Sequence, residues 1–141
     1  MPRIVIVYDS KSGNTERMAK AVEEGAKTLK GVETELHKVG TPFSISVLNK
    51  ADAIVLGSPS RYGVATMEMK EFLDAATELK KAEVLRLEGK KGGVFGSYAW
   101  DGGTVVDRLA EALKALGVDS ALQMVSAVDR MGSMGIRIDA E

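Results

Sequence analysis

Three short stretches carry residue types that could bind one ligand together. The first, Ser10-Lys-Ser-Gly-Asn-Thr15, sets three hydroxyl residues and a glycine between an apolar run, residues 3–8, and a helical pattern that begins at Glu16. A helix N-terminus leaves backbone N–H groups unpaired and carries the positive end of the helix dipole, so this stretch suits an anion such as a phosphate. An ordinary strand-to-helix connection with a Ser/Thr cap is the competing explanation of the same residues. The second and third stretches, Ser58-Pro-Ser-Arg-Tyr-Gly63 and Ser97-Tyr-Ala-Trp-Asp-Gly-Gly103, each place an aromatic residue beside glycine, as Tyr62-Gly63 and Trp100-Asp101-Gly102. Aromatic residues make up only 5% of the chain. Two of them in loops suggest a flat ring held between them, with rings that merely cover the sheet ends as the alternative.

The elements that would position these stretches are legible from hydrophobic patterning. Apolar runs at 3–8, 53–57 and 92–96 precede the three stretches and predict strands buried on both faces, as in a parallel sheet covered by helices. Met18, Val22, Gly25 and Leu29 form one helical stripe, which Gly31 would end. A second stripe, Met69, Phe72, Leu73 and Ala76, predicts a helix over 66–79. A third, Val106, Leu109, Ala110, Leu113 and Leu116, predicts a helix closed by Gly117. Residues 33–39 read as a strand whose charged alternate positions suit a sheet edge, and 122–128 as a fifth strand. Residues 43–50 read as a short helix or an irregular crossover.

Strands alternating with helices give an α/β doubly wound parallel sheet of five strands, order 2-1-3-4-5, in a single domain over 1–141. Its core spans 1–128, with an atypical tail over 129–141. Right-handed crossovers bring the loops after strands one, three and four to the same edge, and a ligand binds there where the strand order reverses.

Composition narrows the chemistry. With 141 residues, 45% hydrophobic content and a net charge of −1, the chain fits one globular domain. Neither end carries a charged-then-apolar signal segment and no apolar run reaches membrane-spanning length, so the cytoplasm is the expected location. No cluster of uncompensated Lys and Arg marks a nucleic-acid surface. The absence of cysteine removes disulfides, thiol redox chemistry and cysteine-ligated metal or iron–sulfur sites. Any electron transfer would therefore need an organic cofactor. His37 is the only histidine, which excludes a His-based metal cluster. Its alternating surroundings read as a half-exposed strand, with His37 as a solvated surface residue rather than a catalytic one.

The first stretch resembles the phosphate-loop signature of flavodoxins. Gly96-Ser-Tyr-Ala-Trp-Asp-Gly-Gly103 resembles the third flavin loop of short-chain flavodoxins and of the FMN domain of A-type flavoproteins. Gly57-Ser-Pro-Ser-Arg-Tyr-Gly63, with Met69-Lys-Glu-Phe-Leu73, is more similar to the flavodoxin-like quinone reductases. The resemblance spans about residues 3–128. It implies FMN as cofactor, with Ser10, Ser12, Asn14 and Thr15 and the amides of Lys11 and Gly13 on the phosphate. Trp100 would stack on one flavin face and Tyr62 lie against the other face or the edge. Gly63 is the implied peptide that turns to accept a hydrogen bond from flavin N5 on reduction, a change that glycine permits. Ser58, Pro59 and Ser97 would line the ring's polar edge, and Arg61, Tyr98 and Gly102 complete the implied contacts. Asp101 would either add negative charge beside the ring or form the turn before Gly-Gly.

The implied function is an electron carrier between redox partner proteins, with no catalytic side chain assigned. An NAD(P)H-dependent quinone reductase of the flavodoxin-like type is the alternative, and a flavin-free interaction module is a third reading. A receiver domain would need a phosphorylatable Asp where Gly57-Ser58 stands, and a nucleotide hydrolase would need the Gly-x4-Gly-Lys-Ser/Thr pattern.

Two features depart from the pattern. Flavodoxins are usually strongly acidic, whereas 19 basic and 20 acidic residues nearly cancel here, so the partners are expected to differ. The tail after residue 128 is too short and glycine-rich for the family's closing helix. Either a second copy of the chain covers the exposed sheet face, or the alternation of Met134, Ile136 and Ile138 extends the tail as a strand, in its own subunit or a neighbour.

Overall fold

In a computed structural model of the chain, the described residues are 2–10, 13–59, 65–98, 104–129 and 136–140, with residues 14, 97, 98, 120–129 and 136–140 described by their backbone alone. The elements are β1 (Arg3–Tyr8), α1 (Asn14–Lys27), β2 (Glu33–Lys38), a 3-10 turn (Ile45–Lys50), β3 (Ala53–Pro59), α2 (Met67–Lys81), β4 (Lys91–Tyr98), α3 (Thr104–Ala115), β5 (Ser120–Asp129) and β6 (Ile136–Ala140). Among the described residues no helix is long and apolar enough to cross a membrane.

The strands form one sheet in the order β2-β1-β3-β4-β5-β6. Neighbours from β2 through β5 run parallel, while β6 pairs antiparallel with β5, from Val125 opposite Ala140 to Asp129 opposite Ile136. This corrects the five-stranded expectation. After α3 no further helix is described, and residues 136–140 of the tail lengthen the sheet of their own chain.

Burial follows the two-residue period of the strands. Val5, Val7, Ile54, Leu56 and Val94 face a large core built with Met69, Phe72 and Ala76 of α2 and Val105, Leu109 and Leu113 of α3. On the opposite face Ile6, Tyr8, Val55 and Phe95 pack with Met18 and Ala19 of α1. β2 takes the edge, where all six of its residues are half-buried.

Several boundaries differ from the expectations. α1 stops at Lys27, because the chain turns out of the helix where the Thr28 hydroxyl donates to the Gly25 carbonyl (2.6 Å). Leu29 therefore falls beyond the helix, 58% exposed, and its stripe is carried by Thr15, Met18 and Ala19 instead. Gly31, at φ 81°, belongs to the turn before β2. Ser58, Pro59, Ser97 and Tyr98 are strand ends rather than loop residues.

His37 is not a solvated surface residue. It lies opposite Val7 on the side of the larger core, and its ring stacks on Phe43 with centroids 4.7 Å apart. Phe43 leans in turn on Phe72 at 5.9 Å. The segment entering the 3-10 turn thus covers the face of β2 that an edge strand would otherwise expose.

Candidate cofactor site

The site is set by where three parallel strands end. Tyr8 lies opposite Gly57, Gly57 opposite Phe95, and Pro59 opposite Ser97, so the connections after β1, β3 and β4 leave from one edge of the sheet. Ser10, Gly13, Thr15, Ser58 and Pro59 come together there, along with the backbone of Asn14, Ser97 and Tyr98. Lys11, Ser12, Arg61, Tyr62, Gly63, Trp100, Asp101 and Gly102 lie outside the described residues, and so does the expected stacking of a ring between Tyr62 and Trp100.

In the first turn, Gly13 is the N-cap of α1 at φ 91° and ψ −8°, a left-handed conformation that glycine adopts without the cost a side chain would bring. It offers no side-chain cap. Ser10 takes that role from three residues upstream, its Oγ accepting the N–H groups of Gly13 (3.1 Å) and Glu16 (3.3 Å). A hydroxyl that accepts two N–H groups still has its own proton to donate. Ser10 and Thr15 are both buried.

A carboxylate in the first turn of the helix could compete with a bound anion, and Glu16 is the candidate. Its Oε1 instead accepts the Tyr8 hydroxyl (3.1 Å) on the flank of α1, and its Oε2 stands 3.8 Å from Lys20 Nζ. Burial, followed by that hydrogen bond and the charges of Glu16 and Glu23, raises the Tyr8 phenol above its usual value.

Behind the turn is a polar cluster that joins Ser58 to Asp9 and Thr66, two residues to which the sequence assigned no role. Asp9, 2% exposed, directly follows β1; its Oδ1 accepts the Ser10 N–H (2.8 Å) and its Oδ2 the Thr66 hydroxyl (2.5 Å). Thr66 is the N-cap of α2, its Oγ1 accepting the Met69 N–H at 3.3 Å. The Thr66 N–H donates to Ser58 Oγ (3.2 Å), and the Ser58 hydroxyl donates to the Pro59 carbonyl (2.9 Å). The available signal was a carboxylate placed directly after the apolar run 4–8, where burial demands hydrogen-bond donors.

These features fit a phosphate. A left-handed glycine opens the first turn of a helix, hydroxyls stand beside it, and a Cβ placed on Gly13 would find nothing within 4 Å. The nearby acidic groups are engaged elsewhere.

Residues 6–137 match the family described as Flavodoxin. A flavodoxin from Aquifex aeolicus is 36% identical, over 75% of this chain and 56% of its own length. An NAD(P)H dehydrogenase (quinone) from Archaeoglobus fulgidus is 34% identical, over 69% of this chain and 62% of its own. The chain thus spans little more than half the length of these two relatives. Among solved structures, oxidised flavodoxin 1 from Bacillus cereus superposes with a TM-score of 0.75 at 27% identity, covering 91% of this chain and 85% of that one. With residues 6–137 of its 141 matching the family and the fold shared, the chain belongs to the flavodoxin family.

Proposed function

We propose that the chain binds FMN at the carboxyl edge of the sheet and carries electrons between redox partner proteins in the cytoplasm. The observation that carries this reading is the turn from Ser10 to Thr15. It meets the N-terminus of α1 beside the crevice between β1 and β3, where the strand order reverses.

When bound, the flavin ring supplies the one-electron chemistry. Ser10 and Thr15 hold the phosphate with Ser12, Asn14 and the amides of Lys11 and Gly13, and the positive end of α1 offsets its charge. Trp100 would stack on one ring face and Tyr62 lie against the other face or the edge; excluding water from the ring would raise the cost of added negative charge on it and make the reduced cofactor a stronger reductant. Gly63 supplies the adaptable peptide, and Ser58, Pro59 and Ser97 line the polar edge. A second copy of the chain covers the sheet face beyond α1; sedimentation as a monomer at every concentration would overturn that contact.

An NAD(P)H-dependent quinone reductase is the second reading, supported by the relative of that name at 34% identity. A visible absorption spectrum tests the cofactor: FMN released on denaturation, or taken up by the colourless protein, supports it, and failure to reconstitute defeats it. Turnover of NAD(P)H with a quinone would favour the enzyme. A stable one-electron-reduced spectrum without turnover would favour the carrier.

A further inference from the structure

We propose that Asp9 is a positioning residue for the cofactor site, its carboxylate fastening the loop that follows β3 to the end of β1. The inference rests on the FMN reading above and assigns a residue outside the set of expected cofactor contacts.

Asp9 precedes the phosphate turn by one residue and is almost wholly buried. A buried carboxylate is costly unless donors surround it. Here one local and one distant donor meet its two oxygens, the N–H of the next residue, Ser10, on Oδ1 and the Thr66 hydroxyl, 57 residues away, on Oδ2. Hydrogen bonds of this kind are strengthened by the acceptor's charge. Thr66 is 1% exposed and uses its hydroxyl in both directions, donating to Asp9 and accepting from Met69. One rotamer satisfies both.

The other half of the arrangement is the base of the loop. The Thr66 N–H reaches Ser58 Oγ and closes the eight-residue separation between them, so the ends of the loop carrying Tyr62 and Gly63 are held together. Asp9 then ties that closed base to the strand that launches the phosphate turn. One carboxylate sets the spacing between the phosphate-binding and ring-binding loops.

The geometry also selects a carboxylate over an amide. Both of its oxygens face donors, whereas an asparagine with its oxygen on the Ser10 N–H would turn its NH2 toward the Thr66 oxygen, which already accepts the Met69 N–H. That leaves the Thr66 hydroxyl proton without its acceptor and both contacts without the carboxylate's charge. A ligand that engages two loops at once gains affinity from their preset spacing, and loses it when the spacing loosens even if each loop is intact.

The test compares Asp9→Asn, Thr66→Val and Thr66→Ser in the full chain. Two quantities are measured: affinity for FMN, and affinity for inorganic phosphate read from the Gly13 amide shift. Asp9→Asn and Thr66→Val are expected to weaken FMN binding about tenfold or more while phosphate binding stays nearly unchanged, and Thr66→Ser to retain FMN affinity. Unchanged FMN affinity in folded Asp9→Asn overturns the proposal, as does a parallel loss of phosphate and FMN. Amide exchange at Thr66 and Met69 in the flavin-free protein supplies a readout independent of the cofactor. Asp9→Asn should speed both, and unchanged exchange overturns the fastening even if the wild-type protein proves unable to bind FMN.

Discussion

The ring of Phe95 occupies the space that a side chain on Gly57 would need. The two residues are opposite one another on β4 and β3, and a Cβ built on Gly57 would lie well within 3.0 Å of the ring tip. Phe95 is fully buried, so the ring lies across the neighbouring strand and fills the α1 side of the sheet. Gly57 is required here for close approach rather than for backbone conformation.

Gly57→Ala should destabilise the protein by about 1–3 kcal/mol, since the packed ring has to shift. Truncating Phe95 to Leu should relieve the clash, so the double variant loses less stability than the two single losses summed. Urea unfolding midpoints of the three variants check this. Additive losses would mean that the ring does not obstruct the site.

Ser10→Ala removes the oxygen that accepts the Gly13 and Glu16 N–H groups. The flavin-free protein should lose about 1 kcal/mol, the usual cost of a lost helix cap. FMN binding should weaken as well, because the same hydroxyl is free to donate to the phosphate. Denaturant unfolding and FMN titration on one preparation separate the two effects, and Ser10→Thr should recover part of each.

Tyr8 gives an alkaline signature. Its folded-state value lies above the ordinary 10.0, first through burial and then through Glu16 and Glu23. The contribution is fully present below pH 10 and is lost as pH rises through the folded value, because the unfolded chain releases the proton first. Wild type should therefore lose stability above about pH 10 more steeply than Tyr8→Phe. Unfolding midpoints measured from neutral to alkaline pH decide the matter, and parallel curves would exclude Tyr8 as the source.

His37 has a buried Nε2 without a hydrogen-bond partner among the described residues, beneath the Phe43 ring. Replacing it with Phe keeps a flat ring and removes the unsatisfied atom. The variant should be as stable as wild type, or more so by about 1 kcal/mol, by thermal unfolding. A clear loss would show that the nitrogen has a partner.

The sequence by itself determined the strands, the helices facing them, the edge position of β2 and the convergence of three loops. Unbroken apolar runs such as 3–8 and 53–57 report burial on both faces, and the three- and four-residue spacing of Met69, Phe72 and Ala76 reports a helix on a sheet. These are local periodicities, and parallel strand direction then fixes which loops share an edge. The turn proposed to hold a phosphate was legible as a candidate for the same reason, because Ser10 through Thr15 are contiguous. Only the tertiary structure decided that Asp9 meets Thr66, that Phe95 lies over Gly57, that Phe43 covers His37 and that residues 136–140 extend the sheet antiparallel to β5. Each of these except the last joins residues whose local pattern is the same whether or not they touch. Their contact depends on strand register and on the volume left between packed layers, which no short stretch of sequence encodes.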